Sequence, residues 1–368
     1  MNLFAATQLL LTGAAVAALP LGWVWARGDA DKYRALIWIA TFLTLDLIMF
    51  GGFTRLTDSG LGCPDWPGCY GHSNPVAAME HIRAAEAAMP GGPVTVAKAW
   101  IEMLHRYFAM GVGALILTLA VLAWRGRHAF GRSPWPATGL LVLVIVQGAF
   151  GAFTVTLKLM PLVVTIHLLL GIALLCALGM LVGFTRARPL SPDIAGSLGM
   201  PARIALAVLF VQIALGGWVS TNYAVLACQG FPACNGSFLP DADFARGFDL
   251  TRPLGLNDDG SLLPVEALVA IHWVHRTFAY VVVAVLGWLV LRLVRAGEAT
   301  RGFAWAIGAL LALQVATGIA NVVLAWPLAI AVAHNGGAAA LALALALLNS
   351  RLPADRRSHR SAPAPAGA

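Results

Sequence analysis

Charge is scarce in this chain. Only 11% of its 368 residues are Asp, Glu, Lys or Arg, 59% are hydrophobic, and the mean hydropathy is +0.79. Soluble globular domains carry about 25% charged residues, so that class is excluded. Apolar runs fill the space instead, each long enough to cross a bilayer. Nine spans are predicted, near 3–25, 35–53, 99–123, 137–157, 161–184, 203–223, 264–291, 303–324 and 328–349. The first run lacks both a basic flank and a small-residue cleavage site, so it is expected to remain as a helix and not be removed as a signal peptide. No basic patch interleaved with aromatics is present, which argues against nucleic acid as a partner.

The few charges are placed unevenly. Sixteen of the 24 basic residues fall in alternate connections or in the tail: Arg27, Lys32 and Arg34; Arg125, Arg127 and Arg132; Arg186, Arg188 and Arg203; Arg292, Arg295 and Arg301; Arg351, Arg356, Arg357 and Arg360. The positive-inside rule makes that side cytoplasmic. The N-terminus and the long loops 54–98 and 224–263 are then external, and the C-terminus is cytoplasmic. The net charge of +7 becomes mostly inner-surface charge facing membrane lipid. The tail 351–368 reads as disordered, solvated chain.

Cysteine is also rare, five in all. Cys63 and Cys69 share the first external loop, and Cys228 and Cys234 the second. An oxidising compartment makes two local disulfides the default reading. Zinc is the rival, but C-x5-C matches the usual ligand spacing poorly. Cys176 sits mid-span among Leu and Ala and reads as a small apolar filler.

The chain repeats itself. Gly51-Gly52 aligns with Gly216-Gly217, Cys63 with Cys228 and Cys69 with Cys234, all 165 apart. His105-Arg106 aligns with His275-Arg276 at 170, and Gln147 with Gln314 and His167 with His334 at 167. The expected fold is therefore an all-α polytopic membrane protein of two tandem four-helix bundles. Four spans is an even number, so the repeat is parallel. The expected layout is an extra leading helix and loop over 1–34, bundles over 35–184 and 203–350, a cytoplasmic linker over 185–202, and the tail.

His105 lies about six residues into its span and His167 six residues after Pro161, so both sit at ~9 Å depth from the external side. His275 and His334 repeat the arrangement. A lone intramembrane His often makes only an interhelical hydrogen bond. Two matched pairs fit haem iron with two axial imidazoles, whereas two ligands per bundle are too few for zinc or copper. Arg106 and Arg276, aided by Arg55, are candidate partners for haem propionates; snorkelling to the headgroups is their alternative role.

The halves differ in one telling place. Glu102 lies three residues before His105 and shares its helix face; the corresponding residue of the second copy is His272. A carboxylate beside a haem can stabilise developing positive charge or accept a proton. The first copy therefore reads as the chemically active one. Asp46, mid-span, is either part of a proton path or a satisfied interhelical hydrogen bond. The residues leave an enzyme, a two-haem bis-His electron-transfer cytochrome and a haem transporter all open.

The segment "GGFTRLTDSGLGCPDWPGCYG", followed by "EMLHR", His167, "HR" at 275–276 and His334, resembles haem A synthases of the bacterial and mitochondrial type over about residues 35–350. The resemblance implies oxidation of the C8 methyl of haem O to a formyl group, by successive hydroxylations through an alcohol and a gem-diol, for haem-copper terminal oxidases. It implies that His105 and His167 flank substrate haem O, that Glu102 is catalytic, and that His275 and His334 hold a permanent haem b cofactor. It makes Cys63–Cys69 a candidate redox-active disulfide near the substrate and Cys228–Cys234 a structural one. Implied partners are a haem O synthase and an electron donor, in a bacterial inner membrane, with room for a homo-oligomer. The leading helix and His272 have no counterpart in the pattern.

Overall fold

A computed structural model describes residues 3–27, 31–127, 133–186, 189–257 and 259–352. Among them lie eleven α-helices and no strand beyond isolated bridges. The order is α1 Leu3–Ala26, α2 Lys32–Leu56, α3 Met79–Ala88, α4 Val96–Gly126, α5 Trp135–Thr156, α6 Pro161–Arg186, α7 Pro192–Thr221, α8 Phe244–Gly247, α9 Val265–Arg295, α10 Glu298–Val323 and α11 Leu328–Ser350. All but α3 and α8 are long and apolar enough to cross a membrane, nine in total, so the chain is a multi-pass membrane protein. The two short helices lie in the two long loops. Arg132, Arg188 and the tail from 353 onward, with Arg356, Arg357 and Arg360, lie outside the described residues.

The helix ends follow local chemistry. Thr95 caps α4 by accepting from the Lys98 amide at 3.2 Å, and Asp31 caps α2 by accepting from that of Arg34 at 3.1 Å. The sixth span is longer than its hydropathy predicts, because α7 begins at Pro192 and not near 203. Pro192 suits a first helical position, where a missing N–H costs nothing, and Asp193 complements the N-terminal dipole. The added turns bury Ala195, Leu198, Gly199 and Ala202 at helical spacing. Pro201 and the polar character of this stretch hide that face from a hydropathy reading.

Two groups of helices carry the core. One cluster joins α1, α2, α4 and α5 to α6, and the other joins α7, α9, α10 and α11 to α6. Helix α6 serves both: Leu174, Leu178 and Leu181 face the first, while Ile172, Leu175 and Cys176 face the second. Cys176, 5% exposed, is the apolar filler expected. Between the groups, α6 packs on α7 and α11, and α11 packs on α2.

Within lipid the hydrophobic effect does not drive helices together, so close approach through small residues matters more. Helix α1 docks mainly on α4 in this way. A β-carbon on Gly111 would lie 2.6 Å from Val16 Cγ1, and one on Gly13 would lie 2.7 Å from Met110 Cβ.

The side carrying the cysteine loops has its own link between the groups. Arg55, at the end of α2, donates to the Ser220 carbonyl at 2.5 Å and stacks 4.0 Å over the Tyr223 ring. The Tyr223 hydroxyl donates to Asp58 at 2.5 Å. In the second loop Arg252, 1% exposed, donates to the Asn222 side chain and lies over Trp218. Sequence reading passed over this buried cation, because nothing local marks a loop Arg as interior.

The α1–α4 contact predicts that Gly111→Leu costs about 1–3 kcal/mol through overpacking. Thermal unfolding in detergent should show a lowered midpoint. Gly113→Leu, where an added β-carbon meets nothing within 4 Å, should leave it in place.

Candidate functional site

Each of the four intramembrane histidines of the two pairs lies on a glycine of another helix. A β-carbon on Gly51 (α2) would stand 3.0 Å from Cε1 of His105 (α4), and one on Gly151 (α5) 3.2 Å from Cε1 of His167 (α6). In the other group, Gly216 (α7) meets Cε1 of His275 (α9) at 2.9 Å, and Gly318 (α10) meets that of His334 (α11) at 3.3 Å. Any side chain at these glycines would displace the ring. The second glycine of each Gly-Gly pair has a different task. Gly52 faces Asn335 of α11, and Gly217 faces Leu168 of α6, so these glycines admit a helix of the other group.

The pairings expected from sequence are met in space. His105 and His167 are close enough to act on each other electrostatically, as are His275 and His334. All four rings are half-buried, and no hydrogen bond from the described residues reaches their Nε2 atoms. Phe50 of α2 packs edge-on against His105, ring centroids 5.8 Å apart. Glycine cradles beneath four imidazoles fit iron ligation by paired histidines.

The two pairs differ in what holds Nδ1. Thr317 Oγ1 lies 2.9 Å from His334 Nδ1, and Gln212 Nε2 lies 3.2 Å from His275 Nδ1. The Nδ1 atoms of His105 and His167 are buried without such a partner. Gln212 and Thr317 escaped sequence reading, although each stands close to a landmark glycine: Gln212 one turn before Gly216, Thr317 next to Gly318. The equal 167-residue spacing of Gly151 and Gly318 was the available signal.

Glu102 is 4% exposed and hydrogen-bonded at both carboxylate oxygens. Its Oε2 accepts from the Cys63 amide at 2.7 Å and its Oε1 from Arg106 Nη2 at 2.5 Å. Arg106 reaches on into the first cysteine loop, where Nη1 donates to the carbonyls of Asp65 at 2.9 Å, Pro67 at 3.2 Å and Gly68 at 2.6 Å. Arg276 does the same in the second loop, donating to Cys228 at 3.2 Å and Gly230 at 2.5 Å. The three arginines expected at propionates, Arg55 included, thus all donate to backbone carbonyls. Each guanidinium has five N–H donors, so these contacts leave others over. Cys63–Cys69 and Cys228–Cys234 are both disulfides, which sets aside zinc.

His272, in Glu102's counterpart position, is 3% exposed and faces the Ala224 backbone, with Nδ1 unpartnered. Asp46 lies on an outward face of α2 beside exposed Phe42, about 140° round the helix from the Gly51 face. It makes no interhelical hydrogen bond among the described residues.

The Glu102 contacts predict a local effect. Glu102→Ala strips the Cys63 amide of its acceptor and leaves Arg106, 10% exposed, without its ion partner. The cost should be roughly 3 kcal/mol, the low end for a broken buried pair, because Arg106 retains its carbonyls. Hydrogen exchange should quicken at the Cys63 amide, while Glu102→Gln, which still accepts there, should retain most of the protection.

The chain is similar to known proteins over most of its length. Residues 34–346 match the model of a family described as cytochrome oxidase assembly protein. A protein of Shewanella oneidensis named "Heme A synthase" is 40% identical over 316 residues, covering 85% of this chain and 94% of that protein. Proteins of the same name from Sphingopyxis alaskensis and Methylorubrum extorquens are 31% and 30% identical, over 88% and 91% of this chain and 92% and 89% of their own lengths. The chain belongs to the cytochrome oxidase assembly protein family.

Proposed function

We propose that this chain is a haem A synthase, a membrane oxidoreductase that converts haem O to haem A. The observation that carries the reading is the unequal pair of histidine sites: one has the buried carboxylate Glu102 one turn away, and the other has His272. The bundle of α2, α4, α5 and α6 receives substrate haem O between His105 and His167. The bundle of α7, α9, α10 and α11 holds haem b between His275 and His334. The two bundles form a parallel tandem repeat, supported by offsets of 165 to 170 between matching landmarks. Arg55, Arg106 and Arg276 offer their remaining donors to propionates. The N-terminus lies on the periplasmic side of a bacterial inner membrane, with the C-terminus in the cytoplasm, as the basic connections favour. A haem O synthase and an electron donor are the expected partners, and self-association is compatible with the exposed apolar helix faces.

An unactivated methyl group is beyond the reach of amino-acid side chains, and haem iron supplies the redox chemistry when bound. The protein's own part is positional and protonic. His105 and His167 set the substrate's plane. Glu102 balances positive charge developing at the methyl carbon, or takes the proton released there. Its oxygens each accept one hydrogen bond, from Arg106 and from the Cys63 amide, and keep a second lone pair, so it can take a proton while both contacts persist. The same two contacts tie it to the first disulfide loop.

The test is extraction and chromatography of non-covalent haems from protein expressed with a haem O supply. Haem b together with haem A, or the alcohol, is expected. Two molecules of haem b per chain and nothing else would replace this reading by an electron-transfer cytochrome. Glu102→Ala should stop the product at haem O or the alcohol with haem b still bound, and normal haem A from that variant would remove the assigned role.

A further inference from the structure

Helix α1 precedes residues 34–346, which match the family model, yet its outer turns pack against the first cysteine loop. Leu9, 2% exposed, shares an apolar cluster with Cys63, Cys69, Ile82, Met103 and Tyr107. One residue earlier, Gln8 Oε1 accepts from Ser73 Oγ at 2.5 Å. The Ser73 carbonyl accepts from the Tyr107 hydroxyl of α4 at 2.7 Å. Ser73 therefore sits between α1 and α4, bonded to each. Gln8 lies five residues inside α1, ~8 Å from its outer end, where an unpaired amide oxygen or hydroxyl is costly.

From Ser73 the contacts run unbroken to Glu102. His72, its neighbour, exchanges two backbone hydrogen bonds with Cys69, at 2.8 and 2.9 Å. The disulfide joins Cys69 to Cys63, and the Cys63 amide donates to Glu102 Oε2 at 2.7 Å. The second half lacks this outer support. Arg276 holds the second loop as Arg106 holds the first. At the offset of 165, however, Ser73 matches Phe238, which is 71% exposed. At the offset of 170, Tyr107 matches the exposed Thr277. Met110 and Gly111, which meet Gly13 and Val16 of α1, match Tyr280 and Val281, both exposed. The half that carries the carboxylate is thus the half that α1 braces.

We propose that α1 is a strut for the first histidine site, and that Gln8 and Ser73 are positioning residues which hold the Glu102 carboxylate in place through the disulfide loop. This rests on the reading above that Glu102 serves the reaction at that site. Arg106 fastens the loop from inside the bundle, and α1 fastens it from the lipid side, so the loop cannot slide along α4. A group that acts on developing charge loses its effect steeply when displaced.

The experiment compares Gln8→Leu, Ser73→Ala and the double variant with wild type and Gln8→Glu, which keeps an acceptor. Hydrogen exchange is read at the Cys63 and Cys69 amides, with the Cys234 amide as reference, since its bond to the Ser237 carbonyl, 2.8 Å, matches that of Cys69 to His72. Turnover of haem O to haem A, the KM for haem O and haem b per chain are read on the same preparations. Each single variant should quicken exchange at Cys63 and Cys69 about two- to tenfold, the usual effect of one lost hydrogen bond, and leave Cys234 as it was. Turnover should fall by a similar factor, with KM and haem b unchanged. The double variant should be no worse than either single one, because both break the same bond. Gln8→Glu should stay near wild type. Wild-type exchange and turnover in both single variants would overturn the proposal. So would equal quickening at Cys234 or loss of haem b, which would mark general loosening. Glu102→Ala separates the two levels. If it makes normal haem A, the role read for Glu102 fails. If it stalls while Gln8→Leu and Ser73→Ala turn over normally, only the present inference fails.

Discussion

An imidazole set between packed helices needs a facing backbone with no side chain on it. Helix axes in contact stand about 8–10 Å apart, which is filled by side chains from both partners. A ring that must remain partly accessible, with one nitrogen unengaged, fits only where one partner contributes nothing. Gly51, Gly151, Gly216 and Gly318 meet that condition, and they decide which helices enclose a site: α2 with α4, α5 with α6, α7 with α9, and α10 with α11. Gly52 and Gly217 lie one step further round and admit Asn335 and Leu168 of the other helix group. For His105 and His275, ring placement and bundle packing are thus set at the same two dipeptides.

The first site is also governed from outside the membrane core. Glu102 is fastened to the Cys63 amide and, through Arg106, to carbonyls across the cysteine loop. A buried carboxylate held at both oxygens keeps its position only while that loop holds its shape. In the second site Arg276 repeats the clamp on the loop, but His272 stands where the carboxylate would be. The framework is shared, and the carboxylate is not.

The nine spans and the histidine pairs were legible because both rest on strong, local signals. Twenty apolar residues have few fates, and a rare residue repeated at a constant offset is hard to miss. The start of α7 was not legible, since Pro201 and polar residues mask a buried face over Ala195 and Leu198. The arginines were read by their charge, but their contacts are to backbone carbonyls that no side-chain pattern announces. Thr317 and Gln212 were passed over because a hydroxyl or amide in a membrane helix usually satisfies a neighbouring carbonyl. Their importance comes from an imidazole 17 residues away in one case and 63 in the other. The buried Arg252 belongs to the same class.

Two contacts on the cysteine-loop side join residues that differ by 165 in number: Arg55 with Ser220, and Asp58 with Tyr223. On the repeat reading these are equivalent positions, so each residue touches its own counterpart across an axis of approximate two-fold symmetry. Were the halves identical, as in a dimer of a half-length ancestor, each such position would meet itself. Asp against Asp, or Arg against Arg, would repel there. The Asp58–Tyr223 pair now present needs two different residues at matching positions, whereas Arg55 uses a main-chain carbonyl that any residue at 220 would offer. On that reading, divergence between the halves gives more than a carboxylate in one of them: it makes the seam directional, so that each half fits the other better than a copy of itself.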